Sequence, residues 1–333
     1  IELAARWTPV LSCMEIAAEI AQSLDFLDDD TRDAGDERKS LRAVFAHSWA
    51  LLPAAEQACL RRLAVFRGSF TRGAAAEVAG AGLPLLAALV NKSLVRRVAV
   101  APGAPPRYEL PAPLRLFAEA QLAGAGERAE LLDRHAASYL ETLSGHLSDL
   151  RGARQREAMG VLVPELDQLR AAWHHAAARA DARLLGAAAP ALFHLYDMLS
   201  WYQEGGAAFS LAAAALADGH ATDSAIAAAY AVCLARQGWF TFHAGRQQEA
   251  RSLLEQSLAL QRRHGLVADM IFGLNYAAVV CCYLGDSAAA TSLGEEGLRL
   301  ARARDDAYGE AVACNILGQI AYDRGDLPAA RDY

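Results

Sequence analysis

The cysteines are the side chains best suited to chemistry in this sequence, and they are not arranged for a reaction. The sequence contains no CxxC pair, no histidine at metal-ligand spacing, no GxxxxGK(S/T) phosphate loop, no GxSxG and no HExxH motif. We therefore predict no catalytic residue, no metal site and no cofactor site within the chain. Cysteines in apolar helical stretches are typically buried, reduced thiols. We expect that state for Cys13, Cys59, Cys233, Cys281, Cys282 and Cys314.

A set of aromatic and amide side chains is the better candidate for a binding function. They stand at corresponding places in a repeated helical pattern, close to a recurring glycine. If the first helix of each repeat lines an inner face, they point into a groove suited to a peptide or a small ligand. The alternative is that several of the aromatics belong to the core between helices. The candidates are Tyr202, Trp239, Phe242, His243, Asn275, Tyr283, Asn315, Gln319 and Tyr322, with Gln203, Cys282 and Asp323 beside them.

The repeat itself is visible as four glycines at intervals of 40 residues: Gly205, Gly245, Gly285 and Gly325. We expect each to form a corner between two helices, where the backbone needs φ > 0 or a close approach. An alanine follows three of them five positions later, and Gly238, Ala278 and Gly318 precede them by seven. Small residues there allow paired helices to pack closely, as in tetratricopeptide repeats, whose usual period is about 34 residues. We predict such repeats over residues 186–333, after a helical linker at 124–185.

Residues 37–123 predict a winged-helix domain. Helical patterns over 40–52, 54–66, 72–79 and 83–90 are followed by two antiparallel strands, 93–100 and 108–110. A closing amphipathic helix extends to Leu122. The predicted fold is therefore mainly α, a winged-helix domain with a small β-hairpin followed by an α-solenoid of tetratricopeptide-like helix pairs.

Winged helices often bind DNA through their third helix, which this count places at Arg72–Ala79. That segment offers only Arg72 and Glu77 as polar groups, whereas base readout usually depends on Arg, Lys, Asn or Gln. Arg96 and Arg97 in the wing could contact phosphate, but they equally suit a solvated strand edge. Direct DNA binding by this domain is therefore an alternative that the residues do not favour.

The N-terminal 36 residues predict the end of a helical module and an acidic linker. Ser12 and Glu15 have the spacing of a capping box, followed by an apolar stripe at Ile16, Ile20 and Leu24. The run DFLDDDTRDAGD, residues 25–36, lacks the pattern of a calcium loop, and we interpret it as a solvated connector.

Composition limits the class of protein. The chain has 333 residues, is 54% apolar and carries a net charge of −7. The first 122 residues hold 14 basic and 14 acidic side chains, so the whole net charge lies in the remainder. The sequence has neither a basic nucleic-acid footprint nor an apolar run of membrane-spanning length. We expect a cytoplasmic protein, and, since the chain lacks an initial Met and stops within a repeat, a fragment of a longer one.

Several stretches together resemble the region that follows the ATPase in bacterial STAND signal-transduction regulators of the AfsR/LuxR-like, NB-ARC type. They are ERKSLRAVFAHSWALLPAAEQACLRRLAVFRGSFTRGAAAEVAG, LPLLAALVNKSLVRR, RYELPAPLRLFAEAQL, LRGARQREAM and ELDQLRAAW. The resemblance is specific in the winged-helix block and generic in the repeats. The resemblance implies that residues 1–36 are the tail of a nucleotide-binding module.

The resemblance implies a regulatory and sensor fragment. In such proteins the winged helix packs on the upstream ATPase core, which binds ATP or ADP with magnesium, and swings away on activation. The repeats bind an inducer that is a peptide, a protein or a small molecule, and a separate effector domain contacts DNA. The alternative from another class is a protein-interaction scaffold without nucleotide coupling.

One departure from the family lies at the joint between the last strand and the closing helix. The family usually has a histidine there that contacts the phosphate side of ADP, in a motif like YELHxLLRxYA. The matching position in YELPAPLRLFA is Pro111, which has no donor to offer. Arg115 could hold the closed state instead. Pro111 and Pro113 together suggest a protein that opens more easily than its relatives.

Overall fold

The computed structural model describes residues 12–15, 41–99 and 105–333. The chain divides into two compact units, residues 1–138 and 139–333. The predicted stripe at Ile16, Ile20 and Leu24, and the acidic run at 25–36, lie outside the described residues.

The predicted capping box at the start of the chain is confirmed. Ser12 Oγ donates to Glu15 Oε2 at 2.7 Å, the Ser12 backbone N–H donates to the same oxygen at 2.8 Å, and the Glu15 N–H donates to Ser12 Oγ at 3.3 Å. These reciprocal bonds satisfy backbone donors that a first helical turn leaves unpaired.

The first unit is a winged helix built from five helices and a small sheet, followed by the start of a sixth helix. Its helices and strands are α1 (Leu41–Ala50), α2 (Ala54–Leu63), β1 (Ser69–Thr71), α3 (Arg72–Ala79), α4 (Leu83–Asn91), β2 (Arg96–Val98), β3 (Arg107–Glu109), α5 (Ala112–Gly124) and the first part of α6 (Arg128–Gly145). The predicted helices and both predicted strands are confirmed, with shorter strands than expected.

The sheet has a third strand that the sequence did not reveal. Its order is β1-β3-β2, and both pairs are antiparallel, with Tyr108 opposite Phe70 on one side and Arg97 on the other. Phe70 is fully buried and stacks on Phe66 at 4.5 Å between ring centroids. Arg107 Nη2 donates to the Ser69 backbone carbonyl at 2.9 Å. These contacts join the sheet to the helical core.

Helix α5 closes the first unit, as predicted. Its Phe117 is buried and meets two aromatic side chains of α1, Phe45 at 6.0 Å and Trp49 at 5.9 Å between ring centroids. Aromatic pairs at such separations stabilise a core beyond the area they bury.

The helix-turn-helix consists of α3 and α4, which corrects the predicted position of the DNA-facing helix. A short turn joins the two helices, and the chain bends by 112° between them. Gly80 has φ of 66°, and the Ala81 N–H donates to the Ala75 carbonyl at 2.9 Å, which closes α3. In this motif the second helix is the recognition helix. Here it is α4, not Arg72–Ala79, because α1 precedes the three-helix core and shifts the count.

The second unit is entirely helical among the described residues. After the C-terminal part of α6 it contains two short helices, α7 (Leu147–Arg151) and α8 (Gln155–Leu162), and a 3-10 turn, Val163–Glu165. Its remaining helices pack against their neighbours along the sequence: α9 (Leu166–Ala178), α10 (Ala182–Met198), α11 (Tyr202–Leu216), α12 (Ser224–His243), α13 (Gln247–His264), α14 (Val267–Tyr283), α15 (Ser287–Ala303), α16 (Ala307–Asp323) and the six-residue α17 (Leu327–Asp332). The predicted tetratricopeptide-like helix pairs are thus confirmed.

Three of the four predicted corner glycines are confirmed. Gly245, Gly285 and Gly325 have φ of 80°, 81° and 79°, and each follows the first helix of a pair. Gly205 is the exception, because it lies inside α11. The corner before α11 is made by Ser200, at φ of 57°. Gly205 instead occupies the small position of the second helix, where an added Cβ would lie 2.7 Å from the Phe240 ring.

The predicted burial of the cysteines is only partly correct. All six are free thiols; Cys59, Cys233 and Cys281 are buried, and Cys282 and Cys314 are half-buried. Cys13 is exposed, since it stands in the first turn of a helix next to the Ser12–Glu15 cap. In the described part of the chain, no single helix is long and apolar enough to cross a membrane.

Candidate functional site

The structure brings five of the predicted surface residues into one aromatic cluster. Tyr202 stacks face to face on His243, with 4.0 Å between ring centroids. Trp239 meets His243 edge-on at 4.5 Å and stacks on Phe242 at 5.4 Å. Phe242 in turn meets Tyr283 at 5.0 Å. Tyr283 is 72% exposed, whereas Tyr202, Trp239 and Phe242 are half-buried. The cluster is therefore partly packing between helices and partly open surface.

Asp197 is a polar neighbour of this cluster. The Trp239 indole N–H donates to Asp197 Oδ1 at 2.8 Å. His243 keeps an exposed edge, yet burial beneath its neighbours lowers its pKa more than the Asp197 charge raises it. A neutral imidazole stacked on a phenol suits ring-to-ring contact with a partner. Gln203 beside them is exposed.

A second group of predicted residues lies on α16. Asn315, Gln319, Tyr322 and Asp323 are exposed, with Tyr322 at 62%. The Gln319 amide donates to Asp323 Oδ1 at 2.8 Å, an exposed bond within one helix. These side chains are available to a partner, and their role in binding stays a prediction.

Asn275 was predicted on the open surface, and that placement is wrong. It is 1% exposed, and its Nδ2 donates to the Gly309 backbone carbonyl at 3.1 Å. Its Oδ1 points towards Gly297 of α15, where an added Cβ would collide with it. Asn275 therefore ties α14 to its neighbours, because a buried amide needs hydrogen-bond partners that water cannot supply.

Sequence reasoning missed a polar cavity inside the second unit. It has a volume of about 190 Å³ and lies between α7, α10, α12, α14 and α16. Arg236 of α12 faces it from an otherwise apolar helical run, AIAAAYAVCLARQGWF, which was the only available signal. Its lining consists of Leu147, Arg151, Pro190, Arg236, Ala268, Asp269, Ile271, Phe272, Asn275, Tyr276, Asp306, Tyr308, Gly309 and Val312.

The predicted nucleotide-sensing joint is an ordinary helix start in the first unit. Pro111 precedes α5 and provides no side-chain cap; its carbonyl accepts from the Arg115 N–H at 2.9 Å. The Arg115 guanidinium donates to Glu119 Oε1 at 2.9 Å, and Arg67 pairs with the same carboxylate. Arg115 is thus held within its own helix.

Basic side chains around the helix-turn-helix are largely neutralised by acidic neighbours. Arg61 and Arg62 both donate to Glu127, at 2.6 and 2.7 Å, and these two bonds lower the pKa of that carboxyl to about 2. Lys92, just after α4, pairs with Glu56 at 2.5 Å, and Arg96 of the wing pairs with Glu109. Cations that are already paired contribute little to phosphate binding.

Helix α4 exposes an apolar surface with no charged side chain. Leu83 is 55% exposed, Pro84 and Ala87 are exposed, and Asn91 at the end is the only amide. Base-edge readout needs hydrogen-bonding side chains on this helix. In the described residues there is also no group of three or more His, Cys, Asp or Glu side chains placed to hold a metal ion.

Comparison with known proteins places a winged helix-turn-helix domain at residues 52–123. The chain is 32% identical over 216 residues to proteins of Mycobacterium bovis and Mycobacterium tuberculosis that carry the name "Putative HTH-type transcriptional regulator". The alignments cover 61% of this chain and 24% of each relative. The chain therefore spans about a quarter of the length of these relatives.

A solved structure was also matched, a STAND protein with a tetratricopeptide repeat sensor from Pyrococcus horikoshii. The match covers 99% of this chain and 57% of that one, at 15% identity and a TM-score of 0.35. A superposition this loose carries no argument about function. The winged helix-turn-helix of the first unit is thus established.

Proposed function

We propose that this chain is the winged-helix and sensor part of a transcription-regulating ATPase of the STAND class. The winged helix couples the nucleotide state of an upstream ATPase core, which binds ATP or ADP with magnesium, to the helical repeats. The repeats bind an inducer or a partner, and a separate effector domain contacts DNA. The matched winged helix-turn-helix, the regulator relatives and the sequence resemblance support this proposal.

The observation that carries the proposal is the surface of α4. A recognition helix that reads DNA presents Arg, Lys, Asn or Gln to the major groove. This one presents Leu83, Pro84 and Ala87, while the nearby Lys92 is paired with Glu56. An exposed apolar strip rimmed by paired charges is typical of a protein-binding surface. The partner that the proposal assigns to it is the ATPase core of the same polypeptide.

Nucleotide retention in the full-length protein tests this assignment. The negative charge that Leu83→Glu introduces should weaken the contact between α4 and the ATPase core. The rate of ADP release should therefore rise several-fold. Leu211→Glu, on an exposed position of α11 in the second unit, provides a matched control that should leave the rate unchanged. Equal rates for Leu83→Glu and the parent protein would contradict the proposed contact.

The same assay addresses the joint at the start of α5. The proposal holds that Pro111 leaves the closed state without a donor that its relatives have, so Pro111→His should slow ADP release. Unchanged retention in Pro111→His would indicate that this joint does not sense nucleotide here.

Direct DNA binding is the competing function, and its signature is distinct. Phosphate contacts release counterions, so DNA affinity falls steeply as salt rises. We expect fluorescence anisotropy to show no binding of duplex DNA by this chain even at low salt. Salt-dependent binding that Arg97→Ala weakens would favour the DNA function. Nucleotide release insensitive to every winged-helix change would instead favour a scaffold without nucleotide coupling.

A further inference from the structure

The polar cavity of the second unit has the features of a ligand site. It lies where the first helices of three successive pairs, α12, α14 and α16, meet α10 and the short helix α7. Its volume of about 190 Å³ slightly exceeds that of an engineered cavity of about 150 Å³ that holds benzene. A molecule with one aromatic ring and one small polar group is therefore of the right size.

Arg236 supplies a buried cation with an unused hydrogen-bond donor to this cavity. Its side chain is 2% exposed, Nη1 donates to the Val232 carbonyl at 3.0 Å, and Nε has no hydrogen-bond partner. Nη2 is 3.8 Å from Asp269 Oδ1, a separation longer than a hydrogen bond. The edge formed by Nε and Nη2 thus lacks an acceptor, and it is the edge that binds a carboxylate with two parallel bonds.

A second arginine faces the same cavity. Arg151 of α7 donates from Nε to His194 Nε2 at 2.9 Å and lies over the Tyr308 ring at 5.1 Å. Burial, and then the charges of Arg151 and Arg236, lower the pKa of His194 to about 3, so the imidazole is neutral and accepts this bond. Among the described residues no carboxylate lies within ion-pair distance of Arg151. Its guanidinium is therefore available for an anionic group.

The lining also holds two carboxylates. Asp306 accepts the Gly309 N–H at 3.0 Å as the N-cap of α16, and Asp269 Oδ1 lies 3.8 Å from Arg236 Nη2, too far for a hydrogen bond. Aromatic rings provide the remaining walls. Phe272 lies under the Arg236 guanidinium at 4.3 Å and meets Tyr276 at 4.3 Å. A flat, apolar body packed against these rings with its anionic end on Arg236 matches this arrangement.

We propose that this cavity binds a small aromatic carboxylate, held through its carboxylate by Arg236 and Arg151 and through its ring by Phe272, Tyr276 and Tyr308. Binding itself does not depend on the regulatory role; only the assignment of such a molecule as the inducer rests on the proposed function. The cavity also adjoins the exposed aromatic cluster, because the ring centroids of Tyr276 and Trp239 are 4.4 Å apart.

Three probes of nearly equal shape test the proposal: benzoate, benzamide and benzamidinium, which differ in charge. We expect saturable binding of benzoate to the chain by isothermal titration calorimetry, and binding at least about tenfold weaker for benzamide, because a hydrogen bond to a charged group is lost. Benzamidinium should not bind. Equal affinity for benzoate and benzamide, tighter binding of benzamidinium, or no saturable binding of benzoate would each overturn the proposal.

Variants locate the binding within the chain. Arg236→Met should lower the affinity for benzoate about tenfold or more. It is expected to fold, because the Asp269 carboxylate that loses its ion-pair partner is 29% exposed and stays solvated. Val312→Phe should abolish binding by filling the cavity while both arginines remain. Arg262→Met, which removes an exposed arginine paired with Glu296 outside the cavity, should leave affinity unchanged.

The variants also keep failure of this proposal separate from failure of the regulatory one. Benzoate binding that survives both Arg236→Met and Val312→Phe would place the site elsewhere and overturn the assignment. Benzoate binding that is lost in both variants supports the cavity even where the full-length protein shows no change in ADP release. In that case the cavity is a ligand site, and only its role as the inducer site is wrong.

Discussion

The two units differ in where their polar side chains find partners. In the winged helix, cations pair with carboxylates near the surface, as Arg61 and Arg62 do with Glu127, although Arg61 Nε is buried without a hydrogen-bond partner. In the helical repeats, polar groups are buried and several lack partners, among them Arg236 Nε, Asn275 Oδ1 and both polar atoms of the Gln261 amide. A partly exposed ion pair contributes little to stability, whereas a buried unsatisfied group has a cost. Of these residues, Arg236 and Asn275 line the cavity of the repeats, whereas Gln261 does not.

Both units have cores that contain large buried rings, Phe66 and Phe70 in the winged helix and Trp173 and Phe240 in the repeats. The repeats place small residues where helices touch, as at Gly238 and Ala250. Helices that approach this closely have no room for an extra side chain. We therefore expect larger side chains at these positions to destabilise the repeats.

The largest expected effect is an overpacked contact in the repeats. A Cβ at Gly238 would lie 2.9 Å from Leu254 Cγ and 3.3 Å from the Ala250 carbonyl oxygen. Gly238→Leu should therefore lower the free energy of unfolding by about 3 kcal/mol, the upper end of the usual cost of overpacking. Urea denaturation followed by circular dichroism measures this change.

Gly160 of α8 provides the control, because nothing lies within 4 Å of its added Cβ. Gly160→Leu should leave stability unchanged or raise it by up to about 1 kcal/mol through helix propensity. If both substitutions have the same effect, close packing at Gly238 is not what stabilises the repeats.

A smaller effect should appear as a pH dependence set by His194. Its folded pKa of about 3 lies below the ordinary 6.5, because of burial first and of the two arginines second. The unfolded chain therefore binds an extra proton between these values, and stability falls as pH is lowered from about 6.5 towards 3. The slope from this group alone is about 1.4 kcal/mol per pH unit.

His194→Gln removes that titration while keeping an acceptor for Arg151. Urea denaturation at pH 7, 6 and 5 should show a steep loss of stability in the parent and a clearly shallower one in the variant. His243 contributes in the same direction and remains in both proteins, so the difference isolates His194. Parallel slopes would mean that His194 is protonated in the folded protein.

Local backbone requirements could be predicted from the sequence. The corners at Gly245, Gly285 and Gly325 follow from the need for positive φ, which few other residues meet. Gly205 fits the same spacing by coincidence, because a small side chain is also needed five positions after a corner. Spacing alone does not distinguish these two demands, and Ser200 shows that a corner can form without glycine.

Features that depend on distant segments were not predictable. Strand β1 has three residues, too few to show an alternating pattern. The recognition helix was misplaced because α1 was counted as the first helix of the three-helix core. The cavity joins Arg151, Arg236 and Tyr308, which are far apart in sequence and meet only because α7, α12 and α16 converge. Asn275 was misplaced for the same reason, since its partner Gly309 belongs to another helix.

The smallest expected effect is in the winged helix, at Glu127. This carboxylate accepts from Arg61 and Arg62, and those bonds account for its lowered pKa of about 2. It is 29% exposed, so solvent screens both pairs. Glu127→Gln should lower the free energy of unfolding by only about 1 kcal/mol at pH 7. The contribution is present above the unfolded pKa of about 4.5 and is lost as pH falls towards 2.

Glu130→Gln is the matched control, because Glu130 is 79% exposed and pairs with Arg134 one turn away. Its cost should be at most about 0.5 kcal/mol. A loss of several kcal/mol in Glu127→Gln, comparable to Gly238→Leu, would show that the winged helix also depends on buried charge. The contrast between a screened, paired surface in one unit and unmet buried polar groups in the other would then no longer hold.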